Sequence, residues 1–107
     1  MNFLLTITYK DSWYALPNKD RAEIVREVIA FHEKYLKAGK LKDTYTFIEG
    51  KLMSIWNVDS FDEMVIIRSR HPYSIFVNYE AAPFLDHKEI VKLRKNNTTA
   101  AIEAARK

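Results

Sequence analysis

The order in which apolar patterns change along this chain is the feature that most limits how it folds. Within 30–56, a helical pattern ends at Gly39, and two alternating segments follow, separated by Glu49 and Gly50. A strand-like segment precedes this stretch, and a second helical pattern and a further strand-like segment follow it. The resulting order is βαββαβ, which few folds accommodate because β-α-β crossovers are right-handed.

Period-two alternation predicts the four strands. The first covers about 2–9, where apolar residues alternate with a mixed set, namely Phe3, Leu5, Ile7 and Tyr9 against Leu4, Thr6 and Thr8. The second and third cover about 41–48 and 52–58, and a short glycine-containing turn joins them as a hairpin. The last strand covers 74–82, where the same spacing returns.

The first helix is predicted from the signals at its two ends. Asp20 with Glu23 three residues later resembles a capping box, and Gly39 suits a left-handed C-terminal position, so the helix covers about 20–38. The preceding segment, 10–19, combines turn formers with large apolar residues. We expect a loop there that is tucked against the domain.

The second helix and the C-terminal segment follow from similar signals. Ser60 and Glu63 form a second capping box, and Pro72 disfavours helix at the residue before it, which predicts a helix over about 60–70. Beyond Pro83 the chain is rich in lysine and then in alanine. One or two short helices are predicted there.

These elements predict an α+β fold of the ferredoxin-like type, with a four-stranded antiparallel sheet and both helices on one face. We expect one domain over 1–107, with a helical extension from about residue 84. The other face of the sheet would carry Thr6 and Thr8 with either Met53 or Trp56, and is too apolar to be left bare. Packing against a second copy across a two-fold axis would cover it, which predicts a homodimer.

Composition excludes several classes of function. The chain has no cysteine, its three histidines lie on separate predicted elements, and it has only two glycines, so we expect no metal and no cofactor. The net charge of +3 is dispersed apart from a basic C-terminal cluster, which predicts no nucleic-acid partner. No apolar run is long enough to span a membrane and no leader pattern is seen, so we expect a cytoplasmic protein without membrane contact.

Three short motifs carry a family resemblance: Leu36-Lys37-Ala38-Gly39, the run from Ser54-Ile55-Trp56-Asn57-Val58 to Ser60-Phe61-Asp62-Glu63, and His71-Pro72-Tyr73. They resemble the dimeric α/β-barrel superfamily, in which two ferredoxin-like subunits pack sheet to sheet, and within it the muconolactone isomerase group. The Ala-Gly and Pro-Tyr features also resemble YCII-related proteins. The segment Trp13-Tyr14-Ala15-Leu16 with Asp20-Arg21 is similar to the darcynin family.

The resemblance to the isomerases implies a small-molecule enzyme that shifts a proton in an unsaturated lactone without a cofactor, in a cleft between the first helix and the sheet. A cofactor-free or haem-degrading monooxygenase of the antibiotic-biosynthesis type is an alternative on the same fold. A third alternative is a ligand-binding or accessory protein, because Val28 and Ile29 stand where the isomerase pattern has charged residues.

Two residues are predicted to carry acid-base chemistry. His32 shares a helical stripe with apolar residues and has a near-neutral intrinsic pKa. Glu80 lies on the last strand, on the face opposite to that of Tyr79. His71 is expected to anchor its loop and His87 to be exposed. The residues predicted to line a pocket for a small organic molecule are aromatic, namely Tyr9, Tyr35, Tyr45, Trp56 and Tyr79.

Overall fold

The computed structural model describes residues 1–106, in which four strands and four helices form. These are β1 (Asn2–Tyr9), α1 (Asp11–Tyr14), α2 (Asn18–Lys37), β2 (Leu41–Thr46), β3 (Lys51–Asn57), α3 (Phe61–Arg70), β4 (Val77–Phe84) and α4 (His87–Arg106). The strands form one antiparallel sheet in the order β2-β3-β1-β4. The predicted α+β ferredoxin-like arrangement is confirmed.

Alternation along the two central strands separates a buried face from an uncovered one. On β1 the side chains of Phe3, Leu5 and Ile7 are fully buried, and Leu5 lies opposite Ser54 of β3 and Ala81 of β4. Because neighbouring residues of a strand point to opposite faces, the partly buried residues between them lie on the other face. These include Leu4, Thr6, Met53 and Ile55.

Helix α2 packs on the buried face and ends as its sequence predicts. Val28 is its fully buried residue, and the partly buried Ile24, Phe31 and Tyr35 pack against the same core. Gly39 has φ +73°, and the Lys40 N–H donates to the Tyr35 carbonyl at 3.0 Å, as in a Schellman motif.

The predicted limits of α3 are also confirmed. The Glu63 N–H donates to Ser60 Oγ at 3.1 Å, and the Glu63 carboxylate accepts the Asp59 N–H at 3.2 Å. At the other end His71 is extended, with ψ 133°, because the following Pro72 excludes helical backbone there. Met64 and Ile67 of α3 are buried in the core.

The start of the first long helix was predicted wrongly. The expected loop contains the one-turn helix α1, whose Trp13 is buried, and α2 begins at Asn18 instead of about residue 20. Pro17 is its N-terminal boundary, and no side chain caps the helix, so the Asp20–Glu23 capping box does not form. The fixed φ of proline prepares the backbone for a helical turn without a side-chain cap.

The last strand and the C-terminal helix also differ from prediction. Two successive turns, Ser74 N–H to the His71 carbonyl and Phe76 N–H to the Tyr73 carbonyl, delay β4 until Val77. The strand then continues through Pro83, because β4 is an edge strand on which a missing N–H is tolerated. Beyond it, α4 is one helix of 20 residues and not one or two short ones.

Candidate functional site

Two histidines meet on the helix-covered side of the sheet. His32 of α2 and His71, directly after α3, have their Nε2 atoms 3.2 Å apart. His71 is 1% exposed, whereas His32 is partly exposed. The two side chains therefore form a hydrogen-bonded pair with one buried and one accessible member.

A backbone hydrogen bond assigns the protons of this pair. The Tyr73 N–H donates to Nδ1 of His71 at 3.2 Å, so a neutral His71 carries its proton on Nε2. That Nε2–H donates to Nε2 of His32, which in turn places the His32 proton on Nδ1. No group among residues 1–106 forms a hydrogen bond with His32 Nδ1. The accessible imidazole thus offers one N–H donor.

Burial keeps both imidazoles neutral. Desolvation, with a smaller contribution from the nearby His32, lowers the pKa of His71 to about 3. Desolvation also lowers the pKa of His32. Because burial disfavours the charged form of a base, the pair exists in its neutral form at pH 7.

Aromatic rings surround the pair on the α2 side. The ring of Phe31 lies 5.0 Å from that of His71 and 4.8 Å from that of Tyr35. Trp56 is fully buried, with its ring 6.4 Å from His32, and its indole N–H donates to Ser54 Oγ at 2.8 Å. These contacts restrict the rotation of the His32 ring and exclude water from one side of it.

A second aromatic group continues from His71 toward the far end of β1. Tyr73 stacks on His71 with ring centroids 5.4 Å apart and planes at 27°. Tyr9 and Trp13 pack on Tyr73 at 5.3 and 5.0 Å. Burial and the Tyr9 side chain raise the pKa of Tyr73, so its hydroxyl remains protonated. His71 therefore joins two aromatic clusters.

Tyr79 and Arg68 add polar groups near the pair. The ring of Tyr79 lies 6.3 Å from His71, and the Arg68 guanidinium lies 5.3 Å from the Tyr79 ring centroid. The Tyr79 hydroxyl is buried and has no hydrogen-bond partner among the described residues. Burial raises its pKa to about 12 against the opposing effect of Arg68. A buried hydroxyl without a partner is costly.

An exposed apolar stripe flanks the accessible histidine on α2. Val25, Ile29 and Leu36 lie at helical spacing with His32 and are 36%, 53% and 47% exposed. Residues three and four apart on a helix are neighbours, so these side chains border the imidazole above and below. A hydrophobic molecule placed there would contact the stripe and the His32 N–H together.

The structure brings together part of the predicted site. His32 and Tyr79 lie beside His71, and Tyr9 reaches it through Tyr73. Trp56 lies beside His32 and packs on Tyr35. The other two predicted residues lie on the uncovered face of the sheet, where cross-strand pairing places them at the two ends of one row, Tyr45, Met53, Thr6 and Glu80. The sheet therefore separates Tyr45 and Glu80 from His32 in the same chain.

Four residues of the site were not assigned to it from the sequence. His71 was expected only to anchor its loop, and Phe31, Arg68 and Tyr73 were not among the predicted site residues. The Tyr73 hydrogen bond shows that His71 does hold the loop, but its other nitrogen faces His32. The His71-Pro72-Tyr73 motif was the available signal, because proline fixes this imidazole at the end of a helix.

Two grooves lie away from the histidine pair. One of 750 Å³ at the foot of α4 is lined by Met1, Asn2, Asn57, Pro83, Phe84, Leu85, Glu89 and Ile90. Another of 260 Å³ on the uncovered face is lined by Thr6, Thr8, Asn78, Tyr79 and Glu80. The larger groove includes no residue of the predicted site. Chemistry, and not groove size, therefore identifies the histidine pair as the candidate.

The donor set does not suit a metal ion. In the described part of the chain, no three histidine, aspartate or glutamate side chains are grouped as metal ligands would be. The Tyr73 N–H also occupies Nδ1 of His71. If Nε2 of His71 bound a metal, Nδ1 would have to carry the proton of the ring. A protonated Nδ1 could not accept the Tyr73 N–H that points at it.

Comparison with known proteins supports the fold. The chain matches no protein-family model, and no curated protein is significantly similar to it in sequence. Among solved structures it is similar to 5-chloro-2-hydroxyhydroquinone dehydrochlorinase (TftG) from Burkholderia phenoliruptrix AC1100, in complex with 2,5-dihydroxybenzoquinone, with a TM-score of 0.67. The identity is 14%, over 83% of this chain and 98% of that one. No helix within residues 1–106 has the length and apolarity to cross a bilayer.

Proposed function

We propose that this protein binds a small, flat organic molecule beside His32 and acts on it without a cofactor, as an isomerase-type enzyme resembling the muconolactone isomerase group. The observation that carries the proposal is the neutral histidine pair, whose accessible member presents a free Nδ1–H between aromatic rings and an apolar stripe. The similar dehydrochlorinase is described with a quinone bound, which supports the same ligand class on this fold.

The geometry favours an acid-like role for His32. Its only free lone pair, on Nε2, accepts the His71 N–H, so the imidazole meets a ligand as a donor. A donor aimed at a carbonyl oxygen stabilises the enolate that forms when a neighbouring carbon gives its proton to a water molecule, and water then returns a proton to the carbon one allylic position away. This role differs from the proton carrier that the sequence suggested.

Glu80 does not belong to this site in our proposal. It is exposed on the uncovered face of β4, on the other side of the sheet from His32. From that face the Glu80 carboxylate can reach a molecule between two packed sheets, but it cannot reach a ligand beside the histidine pair. Tyr45 shares that face, so we propose that ligand contacts come from Tyr35 and Tyr79, with Trp56 and Tyr9 supporting them from the core.

A binding protein without turnover is the second candidate. Val28 is buried in the core and Ile29 is 53% exposed beside His32, so neither of these two positions supplies a carboxylate to act as a base. A site of this kind would hold its ligand through apolar contact and one or two hydrogen bonds. Substrate turnover separates the two candidates.

The test uses His32→Gln and a panel of hydroxyquinones, phenols and unsaturated lactones. Glutamine places its amide near the Nε2 position, where the oxygen can still accept the His71 N–H, and leaves the Nδ1 position without a donor, so turnover should fall about 100-fold with the fold intact. Circular dichroism checks the fold, and His87→Gln on the exposed α4 is the matched control. Unchanged turnover in His32→Gln would contradict the proposed role, and ligand binding without turnover in the parent protein would favour the binding candidate.

The homodimer forms, in our proposal, through the uncovered face of the sheet. Leu4, Met53 and Ile55 are partly exposed there and lie side by side on β1 and β3. Burying such a face against its own copy removes the apolar area from water. Light scattering should report twice the chain mass of 12.6 kDa. Met53→Lys should shift the protein toward monomer, whereas Val65→Lys on the outer surface of α3 should not; a monomeric parent protein would refute the contact.

A further inference from the structure

None of the side chains that the structure describes in helix α4 is fully buried, and only Ile90 and Val91 of these are half-buried. The helix has 20 residues, about 30 Å at 1.5 Å per residue, and the chain measures 69 × 28 × 24 Å, so the helix extends away from the sheet. Asp86 begins it, accepting the Glu89 N–H at 2.8 Å. Helices in proteins owe most of their stability to the packing of one face against another element. Its stability therefore calls for a packing partner.

The residues of one α4 face follow a heptad repeat. Ile90, Asn97 and Ala104 are seven residues apart and occupy position a, and Leu93 occupies position d. Leu93, Asn97 and Ala104 are exposed in the single chain. A β-branched residue at a with leucine at d favours two parallel strands, and a single asparagine at a sets their register.

We propose that α4 pairs in parallel with α4 of a second copy of this chain, as a short two-stranded coiled coil. In that register Ile90 meets Ile90, Leu93 meets Leu93, and the Asn97 side chains hydrogen-bond to each other across the two-fold axis. An antiparallel pair would instead set Asn97 against apolar side chains. The inference is independent of the proposed activity.

Charge complementarity supports the parallel arrangement. Glu89 occupies position g and Arg94 the following position e, and both are exposed. Five residues apart, they are not neighbours on one helix, where pairs form at three or four residues. Between parallel helices, positions g and e of successive heptads face each other and form ion pairs. Three further cations whose side chains the structure describes are exposed at positions f and c, namely Lys88, Lys92 and Lys95.

Cysteine crosslinking tests the pairing directly, because the natural chain has no cysteine. Asn97→Cys should form an interchain disulfide under mild oxidation, since position a brings the two Cβ atoms close. Lys95→Cys, on the same helix at position f, is the control and should crosslink roughly ten-fold less, because a disulfide requires Cβ atoms about 4 Å apart. Adding Leu93→Lys to Asn97→Cys should return crosslinking to the control level.

Crosslinking, and not oligomer mass, is the decisive measurement. A dimer held only by its sheets would also double the mass, but Asn97→Cys would then crosslink no more than Lys95→Cys. That result would overturn the α4 pairing and leave the proposed function unaffected. Equal crosslinking of the two variants, together with α4-dependent binding to anionic phospholipid vesicles, would also overturn the pairing and assign the basic face to a membrane surface.

Discussion

Acidification should destabilise this protein through His71. Its pKa is lowered from 6.5 in the unfolded chain to about 3 in the folded one, because the imidazole is buried and lies beside His32. The unfolded state therefore binds more protons below pH 6.5, and stability is lost as the pH falls from 6.5 toward 3. At pH 7.5 neither state is protonated, and the contribution is close to zero.

The magnitude follows from the two pKa values. At pH 5 the unfolded histidine is protonated roughly 30 to 1 and the folded one hardly at all, which costs about 2 kcal/mol of unfolding free energy. This free-energy cost requires only that the pKa of His71 in the folded state lies well below 5. How far below 5 it lies changes the cost very little. The lowered pKa of His32 acts in the same direction.

Urea unfolding at pH 7.5 and pH 5.0 measures the effect. His71→Asn keeps an oxygen that can accept the Tyr73 N–H and removes the titrating group, so its loss of stability on acidification should be smaller than that of the parent by about 2 kcal/mol. His87→Asn, on the exposed surface of α4, should behave as the parent does. Equal losses in the parent and His71→Asn would refute the burial argument.

The remaining predictions concern stability at neutral pH, measured as free energies of unfolding in urea. Ser54→Ala leaves the buried indole N–H of Trp56 without an acceptor and should cost about 1–3 kcal/mol, and Ser54→Thr, which keeps a hydroxyl, should cost less. Gly39→Ala should cost about 1–2 kcal/mol from backbone strain at φ +73° alone, since a Cβ there meets nothing within 4 Å. Gly50→Ala should cost more, because φ is +90° and the Cβ comes 3.3 Å from the Tyr14 hydroxyl; equal costs for the two glycine variants would contradict this reasoning.

Local signals in the chain were sufficient for most of the fold. The alternation of Phe3, Leu5 and Ile7, the Ser60 cap and Gly39 each act within a few residues, and each is found where predicted. The errors lie where local signals compete. Ile75 fits a strand pattern, yet it is 72% exposed in the turns that follow His71.

The candidate site was only partly predictable for a physical reason. The helical stripe of α2 identified His32, because the periodicity of a helix can be recognised from residues close together in the sequence. Its partner is 39 residues away, and no local pattern indicates which imidazole meets it. The strand period likewise predicted that Glu80 and Tyr79 lie on opposite faces of the sheet, but it did not predict which face the helices cover.

The residues themselves thus determine the order of elements, their caps and the two faces of each strand, because these depend on interactions between near neighbours in the chain. The element order already predicts both helices on one face of the sheet, but tertiary packing alone decides that His32 meets His71 there and that Glu80 lies on the other side. Burial then suppresses the charge on both imidazoles, and burial is a property of the assembled core, not of any segment within it.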